Sequence, residues 1–185
     1  MPAKAHNSTS AIIKDYIFTA LMMLMEQKEY HDITISELTK KAGVSRMSYY
    51  RTYSSKEDIL VEYFKDMFGE CLEEIKQMPA IDENALHYKL FCMFHKNHQF
   101  IRNVMKAGLY KLMLSSFIEY TKYAAAKFCH TDTTDPYIDY KIHSEAGSLF
   151  MLVARWFETG LRQSPEEMTA IAANIPKCTG STGEL

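Results

Sequence analysis

Apolar residues recur at helical spacing along most of the chain, and no run alternates apolar with polar at period two. Ile13, Ile17, Ala20, Leu21 and Leu24 step by four, three, one and three, which predicts an amphipathic helix. It should follow an Asn7-Ser8-Thr9-Ser10 cluster suited to capping and end near Lys28. Thr34 followed three residues later by Glu37 is a capping box, so a short helix is expected from Ile35 to about Ala42, stopped by Gly43. Ser45 is a good N-cap for another, roughly Arg46 to Tyr53. Ser54 or Ser55, ahead of Lys56-Glu57-Asp58, opens a long helix that carries Ile59, Tyr63, Met67, Cys71 and Ile75 on one face and closes by Pro79. Weaker patterns predict helices over 83–96, 98–107, 109–129 and 137–161, with a loop through 130–136. Ser164-Pro165-Glu166-Glu167 opens a last helix that ends at Pro176, and 177–185 reads as a tail. The fold class is all-α.

Composition narrows the class of protein. At 185 residues, with 47% hydrophobic and 24% charged, the chain is that of an ordinary globular protein. A chain of this size buries roughly 70% of the surface its unfolded form exposes and needs no staples. Cys71, Cys92, Cys129 and Cys178 lie tens of residues apart with no C-x-x-C pair, which points to reduced thiols. The apolar stretch Tyr16 to Met25 is about half of what spans a bilayer, and Glu26-Gln27-Lys28-Glu29 follows where a signal-peptide cleavage site should be. The expectation is a cytoplasmic protein with no membrane partner.

Charge adds a local feature. The formal net charge is -2, yet Lys40, Lys41, Arg46, Arg51 and Lys56 fall in a stretch without a single acid. Such a stretch attracts polyanions. It coincides with two short helices around a glycine turn, a helix-turn-helix pattern. Leu38, Val44, Tyr49 and Tyr53 are spaced to face the first helix, which leaves Arg46, Met47, Ser48, Tyr50 and Arg51 to point elsewhere. A helix fits the major groove of B-DNA, where the first residues of a recognition helix reach base edges. Arg46, Met47 and Ser48 are therefore nearest the bases: Arg46 suits a bidentate pair with guanine, and Met47 suits a thymine methyl. Thr34, Ser45, Tyr50 and Thr52 offer hydroxyls to phosphates, and Lys56 adds a charge at a helix N-terminus. Arg51 either joins this face or sits in solvent.

The stretch Ile33 to Leu60, ITISELTKKAGVSRMSYYRTYSSKEDIL, closely resembles the DNA-binding signature of the TetR/AcrR family of bacterial transcriptional repressors, and the resemblance extends over roughly residues 10–65. It implies phosphate contacts from Tyr50 and Lys56. Three positions depart from the family pattern: Met47 stands where a small residue such as Gly is usual, Thr39 where Ala is common, and Tyr53 where Phe is usual. The implied architecture is an N-terminal three-helix helix-turn-helix DNA-binding domain over 1–54, connected by a fourth helix at about 55–77. A C-terminal helical domain over 55–176 would bind an effector and dimerise.

Two features of that C-terminal region fit the expectation. Ala146 to Phe157 is apolar on nearly all sides, with only Ser148 and Arg155 clearly polar, so it needs cover on all sides. One face should pack on its own domain and the other on a second chain. With the last helix this suggests an isologous four-helix dimer interface, for which Leu149, Phe150, Val153, Phe157, Met168 and Ile171 are candidates. Residues 86–128 hold twelve Phe, Tyr and Met, against 34 in the whole chain, an enrichment that suits an apolar pocket as well as a helical core. The resemblance implies a pocket for a small-molecule effector, with Phe94, His98, Tyr110, Met113, Phe117 and Trp156 as candidate lining.

Cys92, His95 and His98 do not make a metal site, because the third has rotated away from the first and no fourth ligand is evident. No glycine-rich phosphate loop and no ordered nucleophile and base are found, so neither an enzyme nor a cofactor is expected. The expected function is a homodimeric, ligand-responsive repressor whose partner is double-stranded DNA, bound at a pseudo-palindromic operator. The alternative is a TetR-like interaction protein or coactivator that has lost autonomous DNA binding.

Overall fold

The computed structural model describes residues 3–128 and 130–175, with side chains from residue 10 onward. The described residues form nine α-helices and no strand, the all-α fold that the periodicity predicts. They are α1 (Ala3–Gln27), α2 (Ile35–Ala42), α3 (Arg46–Thr52), α4 (Lys56–Lys76), α5 (Glu83–Lys96), α6 (His98–Lys106), α7 (Tyr110–Phe128), α8 (Pro136–Glu158) and α9 (Pro165–Asn174). A 3-10 turn, Tyr30–Asp32, links α1 to α2. Among the described residues, no helix is long and apolar enough to cross a membrane. Pro176, Cys129, Cys178 and the tail expected over 177–185 lie outside the described residues.

The chain divides into two compact units, with breaks inside α4, between α5 and α6, and inside α7. The first runs to Gly69 and includes Asn97–Tyr120. In it α1 packs against α2, α3 and α6, and α2 against α3. Ile17, Leu21, Leu38, Tyr49, Leu60 and Phe64 are fully buried there. Each such side chain contributes roughly 1.5–3 kcal/mol relative to an exposed one. Phe18 lies flat on Tyr63, ring centroids 4.1 Å apart, and Phe100 closes on Tyr63 at 4.4 Å and on Phe64 at 4.7 Å. The half-buried Tyr63 donates its hydroxyl to Asn97 Oδ1 at 2.8 Å, which ties α4 to the start of α6.

The second unit comprises Glu70–Lys96 and the chain from Thr121. Here α5 packs against α9. Trp156 is buried, meets Phe91 edge-on at 5.8 Å, and donates its indole N–H to the Gln163 carbonyl at 3.0 Å. Ser164 and Glu167 form the capping box that opens α9, with Pro165 in the first turn, as the sequence predicts.

At three boundaries the departure from the sequence reading has a clear physical cause. The helix α1 begins at Ala3, so the Asn7–Ser10 cluster lies within it; Ala3, Lys4 and Ala5 are strong helix formers and extend it past the polar residues. Pro136, read as loop, is the first residue of α8, with the Asp135 carboxylate accepting from the Tyr137 N–H at 2.8 Å. At the other end α8 stops at Glu158 rather than Leu161. Gly160 takes φ 82 and lets the Gly160 and Leu161 N–H groups turn back to the Phe157 and Trp156 carbonyls.

Candidate nucleic-acid interface

The turn between α2 and α3 is held at both ends by backbone chemistry. Thr34 accepts from the Glu37 N–H at 3.2 Å, and the Glu37 carboxylate accepts from the Thr34 N–H at 3.0 Å and from its hydroxyl at 2.8 Å. These bonds, with the Lys28 ammonium at 2.9 Å, hold the Glu37 carboxyl down at about 2. Gly43 then takes φ 66, and Val44 N–H reaches back to the Thr39 carbonyl at 3.0 Å. Thr39 itself is buried with its hydroxyl on the Ile35 carbonyl at 2.9 Å, so a polar residue replaces the usual small one at no cost in unsatisfied groups. Ser45 caps α3 by accepting from the Ser48 N–H at 3.0 Å.

From there α3 divides into two faces. Tyr49 is fully buried and Tyr53 nearly so, their rings 6.0 Å apart, and Leu38 of α2 is fully buried as well. Tyr53 donates its hydroxyl to Glu62, and Tyr30 donates its own to Glu57 at 2.9 Å, so both phenols are fixed on α4 and burial raises the pKa of each. Burial also pushes the Tyr49 phenol up to about 12. Opposite, Met47 is 72% exposed and Tyr50 60% exposed, and Arg46 and Arg51 are exposed as well. The expected inward residue Val44 is only half-buried.

The predicted contact residues therefore fall into two groups. Arg46, Met47, Tyr50 and Arg51 present free surface on one side of α3. Thr34, Ser45, Ser48, Thr52 and Lys56 are already engaged within the chain. Ser45 and Ser48 hydroxyls are 2.9 Å apart, and the Thr52 hydroxyl donates to the Ser48 carbonyl at 3.0 Å. The Lys56 ammonium donates to the Tyr30 carbonyl at 2.7 Å and the Ile33 carbonyl at 2.6 Å, and sits 4.4 Å from the Tyr30 ring. Partial burial there lowers its pKa. Tyr30 and Ile33, 26 and 23 residues away, carry no local sequence signal for this contact. At the start of α4, Asp58 accepts from the Ser54 and Ser55 N–H groups at 2.8 and 2.9 Å, which lowers its pKa.

The remaining predicted residues lie elsewhere. Of the candidate effector residues, Phe94 and Trp156 belong to the second unit, and His98, Tyr110, Met113 and Phe117 to the first. Met113, Phe117, Phe94 and Trp156 are buried; His98 and Tyr110 are exposed. Of the candidate interface residues, Leu149, Phe150, Val153, Phe157 and Met168 are buried within their own chain, and Ile171 is exposed. Met151, on the same helix, is 64% exposed.

An exposed polar and basic helix, braced by buried aromatics behind a glycine turn, defines a helix-turn-helix DNA-binding protein. The chain matches the family described as bacterial regulatory proteins of the tetR family over residues 17–63, and a transcriptional regulator C-terminal region over 83–177. It is 24% identical over 101 residues to the HTH-type dhaKLM operon transcriptional activator DhaS of Lactococcus lactis subsp. lactis (strain IL1403), covering 49% of this chain and 54% of that protein. The chain thus spans about half the length of this curated relative. The crystal structure of Lin0861 from Listeria innocua shares the fold at a TM-score of 0.78 and 12% identity, over 89% of each chain. A TetR transcriptional regulator from Streptococcus agalactiae 2603V does so at 0.65 and 19%, over 92% of this chain and 96% of that one. The chain belongs to the TetR family of transcriptional regulators, and 17–63 is its DNA-binding helix-turn-helix region.

Proposed function

We propose that the protein is a homodimeric, effector-responsive repressor in the cytoplasm that binds a pseudo-palindromic operator, with residues 1–54 as reading head and 55–176 as the effector and dimerisation region. The observation that carries this reading is the outward set Arg46, Met47, Tyr50 and Arg51 on a helix whose opposite side is locked by Tyr49 and Tyr53. Arg46 and Met47, in the first turn, read bases; Tyr50 and Arg51, with Lys40 and Lys41 from the preceding helix, hold phosphates. Two heads on one dimer would meet half-sites about one turn of DNA apart, ~34–36 Å, or a multiple of it. Met151 and Ile171, exposed on α8 and α9, are the contacts a second copy would cover. A small effector bound by the C-terminal region need supply only ~1–3 kcal/mol of coupling to change operator affinity about 5- to 150-fold.

The test is a duplex from the gene's own upstream region, bound at several salt concentrations. Binding should weaken linearly in log salt, with a slope set by the phosphates neutralised. A flat response, or no retained duplex, sinks the reading.

A second reading has its own support. The Lys56 ammonium is spent on two carbonyls of its own chain, and the relative DhaS is named an activator. A coactivator that has lost autonomous DNA binding would retain no upstream duplex alone but would retain it together with another regulator.

A further inference from the structure

Outside the helix-turn-helix region, one group of three metal-ligating side chains stands out among the described residues of the second unit. Glu83 and His87 lie four apart on α5, hence on one face of it, and Glu145 comes from α8. One ligand atom from each falls within 4.8 Å of the other two. His87 is buried at 8% exposure, whereas both glutamates are exposed. We propose that Glu83, His87 and Glu145 form a binding site for a first-row divalent transition-metal ion that joins α5 to α8.

The donor set and its mechanics support the assignment. Imidazole with carboxylate oxygens suits zinc and its neighbours, whereas magnesium and calcium favour oxygen alone. Ligands ~2.0–2.2 Å from such an ion stand roughly 3–4 Å from one another, so the three groups need close only a small gap. The glutamates can close it, because their carboxylates lie at the surface on flexible stems, while burial fixes the imidazole. Two carboxylates this near each other repel, and a divalent ion between them converts that repulsion into attraction. Three protein donors leave further coordination positions for water or for an oxygen-bearing ligand. The spacing Glu-x-x-x-His was visible in the sequence, but Glu145 is 58 residues beyond His87 and no local pattern joins them.

The test uses the full chain, stripped with a chelator and titrated calorimetrically with zinc chloride. One ion per chain is expected, with magnesium binding far more weakly. Glu83→Gln and Glu145→Gln alter exposed side chains and should keep the helical circular dichroism of the parent. Each should weaken zinc binding by at least on the order of tenfold. Cobalt in place of zinc should give a visible d–d band that His87→Gln removes; should that variant fail to fold, the two glutamine variants decide alone. Zinc affinity unchanged in both, as binding through the cysteines would give, overturns the proposal, and so does the lack of any one-to-one uptake. Neither result bears on DNA binding, which uses other residues.

Discussion

Arg46 and Lys56 carry the same charge, yet their surroundings give them different work. Arg46 is exposed in the first turn of α3, so Arg46→Ala should relax preference at one base pair by roughly 1–3 kcal/mol and leave the fold intact, as a panel of single-substitution duplexes would read. Lys56 closes on the Tyr30 and Ile33 carbonyls, so Lys56→Ala should lower the melting temperature and weaken binding to all duplexes alike. Glu37 adds a pH dependence of definite sign. Its carboxyl is lowered from 4.5 to about 2 by the Thr34 N–H and then by Lys28. A depressed folded value means that its stabilisation is complete above about 4.5 and is lost as pH falls toward about 2. Acid titration of Glu37→Gln should show a flatter decline over that window than the parent.

At the scale of elements, the ends of the helices decide most of the architecture around the recognition helix. Thr34→Ala removes the cap of α2 and should cost about 0.5–2 kcal/mol in urea denaturation. Gly43→Ala should cost roughly 1–2 kcal/mol, because a Cβ there meets no neighbour and the whole penalty lies in the left-handed backbone. Gly43→Asn should cost less. These features were legible beforehand because they are local: Thr34 and Glu37, Ser45 and Ser48, and Ser164 and Glu167 act over three residues. Asp135-Pro136 follows the same grammar, but the run of Thr and Asp before it reads equally well as loop. Gly160 is the same kind of stop as Gly43, but Leu161, four residues after Phe157, carries the apolar spacing past it. The fixed ends of the phenols and of Lys56 escaped notice for another reason: their partners on α4 and at Tyr30–Ile33 are joined to them only by the fold.

For the molecule as a whole, apolar pattern predicts how much surface must be covered, not by what. In Ala146 to Phe157, where one face was expected on its own domain and the other on a second chain, Leu149, Phe150, Val153 and Phe157 are buried by their own chain, and Met151 is the large apolar residue left exposed. If two copies pair as proposed, the double change Met151→Glu with Ile171→Glu should shift sedimentation toward monomer without loss of helicity. Trp156, the sole tryptophan of the chain, sits inside the second unit with its N–H satisfied. It is therefore a built-in fluorophore: indole emission should be blue-shifted in the native protein and should redden only when that half of the chain opens. Melting followed by this light and by far-ultraviolet ellipticity would then report on one unit and on all helices respectively, and divergence of the two curves would time their separate loss.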